Sequence, residues 1–315
     1  MNRDLIKDAL LGLAVGDAIG VPIEFRSREE LDRSPITGMT GFGTHHQPPG
    51  TWSDDSSLTF CLAEMLCGEY DLDSLAHRFI NWKNYGNWTA HGNVFDVGIA
   101  TAAAIERLER GVPPVLAGGK EEGSNGNGSL MRILPLLFYI REKGIEQRFE
   151  LTKEVSSLTH RHIRSIIACF LYLEIALELV NGQSKYDAYR HACRNCINFL
   201  RIHDPANEKE HTFFARLLAG NIFELREKDI RSSGYVIHTL EASIWCLLNT
   251  PNYAEAVLKA ANLGDDADTT AAVTGGLAGL LYGYEAIPAE WLASLARRLD
   301  IEDLSSRLGN KLNKR

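Results

Sequence analysis

The sequence predicts an all-α fold, a compact single-domain helical bundle spanning residues 1–315. Three observations point to it. Apolar residues recur at helical spacing along most of the chain, the stripe of an amphipathic helix. No stretch sustains the strict alternation of a half-buried strand. No long low-complexity linker divides the chain, and its length allows a substantial core.

The elements follow in order. A first helix is predicted over 4–15, and Gly20 and Pro22 stop it. Runs at 56–66, 72–82, 97–110 and 130–140 repeat the helical pattern, as do 163–180, 186–200 and 235–248. The last three predicted helices are 254–261, 269–282 and 289–299. Gly275, Gly279 and Gly283 recur at four-residue spacing on one of them. Each glycine costs a helix roughly 1 kcal/mol relative to alanine, a cost tolerated where another helix approaches closely. Three loops interrupt the pattern. Residues 38–52 are too rich in glycine and proline for a helix and carry His45 and His46, so they suit a lid or wall of a site. Residues 118–129 hold five glycines, and 203–211 are polar and expected to be solvated.

Composition narrows the function. A formal charge of −8 leaves no basic excess to neutralise a nucleic-acid backbone. Residues 1–13 are amphipathic without a signal-peptide core. The most apolar long run, 163–180, contains Arg164, Glu174 and Glu178 and does not suit a bilayer. The six cysteines fall mostly within apolar helical runs; Cys193 and Cys196 form a C-x-x-C that reads as structural thiols. A reduced, cytoplasmic protein is expected, with no nucleic-acid or membrane partner and a monomer as the expected state.

Two acidic strings carry the chemistry: Ser53-Asp54-Asp55-Ser56, and Gly264-Asp265-Asp266-Ala267-Asp268-Thr269. Each follows a glycine-bearing loop and opens a helical run. Read singly, Ser53, Asp54 and Asp268 are ordinary N-caps. Taken together, each string has at least one acid more than capping requires, and adjacent carboxylates repel unless a cation neutralises them. Carboxylates and hydroxyls are hard donors, suited to Mg²⁺, Mn²⁺ or Ca²⁺ rather than zinc. The string Gly123-Ser124-Asn125-Gly126-Asn127-Gly128-Ser129, ahead of the helix predicted near Leu130, suits a diphosphate cradle and, taken alone, equally a flexible surface loop. Glu24 emerges where the first helix stops, beside Phe25, in a setting able to raise its pKa for proton transfer. Asp96 is most simply the N-cap of the helix at 97–110, and His160 belongs to the cap region before 163–180.

Read together, these strings resemble the ADP-ribosylglycohydrolase family, which includes the dinitrogenase reductase-activating glycohydrolase and the ADP-ribosyl-arginine hydrolases. The matching pieces are GDAIGVPIEF at 16–25, TWSDDS at 51–56, DVG at 96–98, GNGSLMR at 126–132, Thr159-His160, YVIHTL at 235–240 and GDDADT at 264–269. The resemblance implies two divalent cations, Mg²⁺ or Mn²⁺, held by Ser53, Asp54 and Asp55 on one side and by Asp266, Asp268 and Thr269 on the other. It implies that Glu24 lies near the reacting carbon and Asp96 near the substrate ribose. Gly123, Ser124, Asn125, Gly126 and Asn127 match the diphosphate loop, and His160 a residue near the ADP portion. Asp55 or Glu24 is the expected base, and Asp96 is expected to position or protonate the leaving group. The implied activity is metal-dependent release of ADP-ribose from a modified protein, with an arginine N-glycosidic link foremost. An O-linked hydrolase acting on ADP-ribosyl-serine or O-acetyl-ADP-ribose, and a non-catalytic ADP-ribose-binding or immunity protein, are the alternatives. Three positions depart from the family pattern. Ser56 replaces the usual threonine, Asp265 stands where glycine is common, and Asn125 occupies a place where some members carry an aromatic. Asp265 is expected to add negative charge beside the metals.

Overall fold

The computed structural model describes residues 4–313 of the chain; their regular elements are helices, with no sheet among them. Eleven helices of nine residues or more form there. They are α1 (Leu5–Gly20), α2 (Asp54–Leu66), α3 (Leu72–Tyr85), α4 (Ile99–Glu109), α5 (Ile145–Ser157) and α6 (Ile163–Val180). The chain continues with α7 (Lys185–His203), α8 (Val236–Leu248), α9 (Tyr253–Ala261), α10 (Ala267–Tyr282) and α11 (Arg298–Leu312). None is long and apolar enough to cross a membrane among the described residues.

The axis of the molecule is the antiparallel pair α1 and α10, both buried on almost every face. Glycines permit the approach. A Cβ on Gly12 would fall 2.4 Å from the Gly275 carbonyl oxygen, and one on Gly279 would fall 2.1 Å from that of Asp8. Gly16 meets the Ala271 backbone and Gly20 that of Asp268 in the same way. The stripe expected on the late helix is therefore half of a two-sided seam. Gly283 is outside it and terminates α10 with a positive φ of 88°. Because the pair is antiparallel, the seam brings the end of α1 to the beginning of α10. Glu24 and the second acidic string are thereby placed side by side.

Four expectations need correction. Residues 130–135 form buried turns, and helix resumes only at Leu136–Ile140. Pro135 lacks an N–H and disfavours helical backbone in the residue before it. Helices α5 and α11 lie where no helix is predicted. Each buries a narrow stripe, Phe149, Thr152 and Val155 in one and Ile301, Leu304 and Leu308 in the other, on an otherwise charged surface. The run predicted over 289–299 ends at Ser294, and Arg297, at a left-handed φ of 50°, starts α11. The loop at 203–211 folds into short helical turns, and its Glu210 pairs with the buried Arg164 at 2.5 Å. Cys193 and Cys196 are buried free thiols in α7, as expected for structural cysteines.

Candidate active site

The site is built where α1, α2 and α10 meet. Past Gly20 a short turn, Val21–Ile23, delivers Glu24. Its neighbours are clamped to the second acidic string: Phe25 N–H donates to the Asp265 carbonyl at 2.7 Å, and Asp265 N–H to the Arg26 carbonyl at 2.9 Å. Gly264 and Asp265 adopt positive φ values of 76° and 55° to make this turn. Asp tolerates the left-handed region better than most residues. Asp265 is exposed, and the clamp uses its backbone.

Ser53 is the N-cap of α2, its Oγ accepting from Asp55 N–H at 3.2 Å, and Asp54 and Asp55 open that helix. Asp266 is the N-cap residue of α10, with Asp268 and Thr269 in its first turn; Asp268 is not the cap. Thr269 Oγ1 donates to Asp55 Oδ1 at 3.2 Å and joins the two strings. Asn127 Nδ2 donates to Asp266 Oδ2 at 2.8 Å and to Thr239 Oγ1 at 2.9 Å, joining the glycine loop to the acids. Oxygens of Glu24, Asp266 and Asp268 lie within 4.8 Å of one another; Asp54 and Asp55 stand outside that tight trio.

Asp17 completes the cluster, although the sequence marked it only as part of a motif. It is fully buried and accepts from Ser53 N–H, Ser56 N–H and Ser56 Oγ, at 3.0, 3.0 and 2.5 Å. One carboxylate of α1 thus fixes the start of α2. Its pKa still rises, to about 6, because burial outweighs those hydrogen bonds.

The electrostatics are one-sided. Burial first, and then Asp96, Asp266, Asp54 and Asp17, push Glu24 up to about 10. Asp54, Asp55 and Asp268 are held well above the ordinary carboxylate range, by burial and then by neighbouring charge, first that of Asp96, Asp17 and Glu24 respectively. No lysine or arginine pairs with any of these acids among the described residues; His45 is their one basic partner. Asp55 Oδ2 and Asp266 Oδ1 are buried without a hydrogen-bond donor. Orphaned carboxyl oxygens in a cluster of acids with no lysine or arginine partner fit hard divalent cations, which would also pull these pKa values back down.

One wall of the pit is the loop at 38–52. Thr44 N–H donates to the Pro22 carbonyl at 2.9 Å, and Thr44 Oγ1 to the Glu24 carbonyl at 2.7 Å. His45 Nε2 then bonds Glu24 Oε2, and atoms of Glu24, His45 and Asp96 gather within 4.8 Å. The sequence signalled the loop but not His45 itself, because the contact depends on the hairpin closed by Phe42 and Gln47. Asp96 is not a cap: α4 starts at Ile99 behind Gly98, which leaves the carboxylate facing the pit. Phe95 packs on the His45 ring at 5.3 Å, and Phe25 lies 6.1 Å from it.

The glycine loop adjoins the acids through Asn127 and forms a second wall. Asn127 N–H donates to the Gly234 carbonyl at 3.1 Å, and Val236 N–H to that of Asn125 at 3.0 Å. Asn125 Nδ2 donates to the Glu122 carbonyl at 2.6 Å while its Oδ1 is buried without a partner. Ser124 packs against Gly119, and the chain leaves Gly123 open. His160 lies directly beneath Gly126 and Gly128. The helix N-terminus expected at Leu130 is absent, so no helix dipole backs this loop. Residues 159–162 are the cap region of α6 as expected, and within them His162 is the N-cap.

The chain has known relatives. The model of the ADP-ribosylglycohydrolase family matches residues 2–315. An ADP-ribosylarginine hydrolase, Tri1, of Serratia proteamaculans is 37% identical over 98% of this chain and 79% of its own. The ADP-ribosyl-[dinitrogen reductase] glycohydrolase of Rhodospirillum rubrum is 28% identical over 95% of this chain and 93% of its own. A solved structure titled ADP-ribosylglycohydrolase-related protein complex superposes with a TM-score of 0.80 at 31% identity, covering 98% of both chains.

Proposed function

The chain belongs to the ADP-ribosylglycohydrolase family, and from that premise we propose that it hydrolyses the N-glycosidic bond joining ADP-ribose to arginine of a modified protein. One observation carries the reading: a buried, uncompensated acid pit stands beside a glycine loop, and Asn127 binds the two together. The names of the relatives support the reaction class and favour arginine.

Ser53, Asp54, Asp55, Asp266, Asp268 and Thr269 would hold two divalent cations, Mg²⁺ or Mn²⁺. Such a centre supplies Lewis acidity towards ribose hydroxyls and lowers the pKa of water. The chain's own residues do the rest. Gly123 to Asn127, with His160 beneath them, orient the ADP portion. Water adds its oxygen to the anomeric carbon as the bond to the arginine nitrogen breaks. Glu24, steadied by His45, or Asp55 takes the proton from that water; Asp96 delivers one to the departing nitrogen. The carboxylates around the pit stabilise the oxocarbenium-like transition state. Phe25 and Phe95 lie around His45 beside Glu24, and aromatic faces of this kind would attract a guanidinium.

The test is release of free ADP-ribose from arginine-modified protein, with Mg²⁺ or Mn²⁺ and with EDTA, beside a serine-linked substrate. EDTA-sensitive release from arginine alone is expected. Release only from serine would move the activity to the O-linked class. Binding of ADP-ribose without release from either substrate would leave a binder.

A further inference from the structure

Beneath the glycine loop lies a charge with no counter-ion. Arg132 is completely buried, and no carboxylate bonds it. Its Nη2 donates to the Val155 carbonyl at 3.2 Å and to Thr159 Oγ1 at 2.8 Å. Nε and Nη1 have no partner, and the guanidinium rests 4.8 Å over the Phe79 ring. Burial lowers its pKa only to about 10, so it remains a cation at neutral pH. The adjacent Cys61 and Cys169 thiols are pushed up, to about 12 and about 11, and stay neutral. An unpaired buried cation is expensive, and its persistence calls for a function.

Its hydrogen bonds have a direction. Arginine only donates, so Thr159 Oγ1 must accept from it. The single hydroxyl hydrogen of Thr159 is then free for His160 Nδ1, 2.9 Å away. Burial and the Arg132 charge keep His160 neutral, lowering its pKa to about 3. A neutral imidazole that accepts at Nδ1 carries its proton at Nε2. That nitrogen has no protein hydrogen-bond partner among the described residues and lies against the loop. A Cβ on Gly126 would sit 3.2 Å from Nε2, and one on Gly128 2.7 Å from Cε1.

We propose that Arg132 and Thr159 are positioning residues that fix the His160 tautomer, so that an imidazole N–H backed by a buried positive charge meets the diphosphate of ADP-ribose. The relay replaces the missing helix dipole as the source of positive potential under the loop. It rests on the reading of that loop as the diphosphate site.

Two measurements test it. Nitrogen-15 NMR of histidine-labelled wild-type protein, with His160→Gln identifying the signal, should show His160 protonated at Nε2; protonation at Nδ1 overturns the relay. Calorimetry should then compare ADP-ribose with adenosine, which lacks the diphosphate. Thr159→Val keeps the side-chain shape, and by the usual worth of a charge-assisted bond it should weaken ADP-ribose binding about tenfold. Adenosine binding should change less than about twofold, and Thr159→Ser should restore ADP-ribose affinity to within about twofold. Unchanged ADP-ribose affinity in Thr159→Val, or equal losses for both ligands, would refute the relay. The NMR result stands even if the valine variant does not fold. Absence of ADP-ribose binding by the wild type would instead sink the functional reading beneath it.

Discussion

The two walls of the cleft are electrostatic opposites. On one, Asp17, Glu24, Asp54, Asp55, Asp96, Asp266 and Asp268 crowd together, and every one has a raised pKa. On the other, a neutral histidine and an unpaired arginine lie under a loop of backbone N–H groups. The two walls suit partners of opposite charge: the acids suit cations, the loop suits an anion. An ADP-ribosyl group, with hydroxyls at one end and a diphosphate at the other, answers both once metals are bound. Complementarity of this kind is a property of the pair of walls, and neither shows it by itself.

The heaviest blow to the comparison is removal of a metal-facing acid. Asp266→Ala deletes the Oδ1 orphan and the Asn127 partner together. Turnover should fall at least about 10²-fold, since losing even an outer-shell partner of a metal ligand costs 10–100-fold. Stabilisation by Mn²⁺ should vanish with it. Wild-type turnover in this variant would refute the cation site.

The pH dependence of stability separates the walls by sign. Glu24 ordinarily titrates near 4.5 but near 10 in the folded, metal-free protein. Between those values the native state keeps a proton that the unfolded chain has released, so stability falls as pH rises. Asp17 acts likewise between 3.8 and about 6. His160 acts oppositely: between about 3 and 6.5 the unfolded chain takes up a proton that the native state refuses, so its contribution is lost as pH falls below 6.5. In EDTA, melting temperature should therefore decline on both sides of a maximum. A fixed Mg²⁺ concentration, one hundred times its Kd at about pH 8, adds about 2.7 kcal/mol there and should add less at about pH 5.5, where binding displaces more protons. A metal increment equal at about pH 5.5 and about pH 8 would show that these acids are not the ligands.

What was legible in the sequence follows the same division. The acidic strings could be read because each site residue there belongs to a short contiguous motif at a helix start. The glycine seam was half legible: Gly275 and Gly279 announced a close partner, but only folding identified Gly12 and Gly16 as its other face. Asp17 and His45 were passed over because what they do depends on distant contacts, to the Ser53 and Ser56 amides in one case and to a hairpin folded back on Glu24 in the other. Helical spacing at 130–140 misled because Pro135 and burial on every side override the local pattern. The same misreading hid Arg132, which in a regular amphipathic helix would have been assigned to solvent.

The smallest expected effect tests the join between the walls. Asn127 Nδ2 is shared between Asp266 and Thr239, so a ligand on the glycine loop and a cation on the acids both bear on one amide. Coupled binding is reciprocal: if metal tightens ADP-ribose, ADP-ribose tightens metal by the same factor. Asn127→Ala leaves Asp266 Oδ2 and Thr239 Oγ1 short of a donor, a loss of roughly 1–3 kcal/mol. If the amide transmits between the walls, the variant should bind ADP-ribose about tenfold more weakly with Mg²⁺ present and nearly as well as wild type without it. Calorimetry in both buffers checks this. Equal weakening in both would mean that Asn127 only shapes the loop, and that the walls act on the substrate independently.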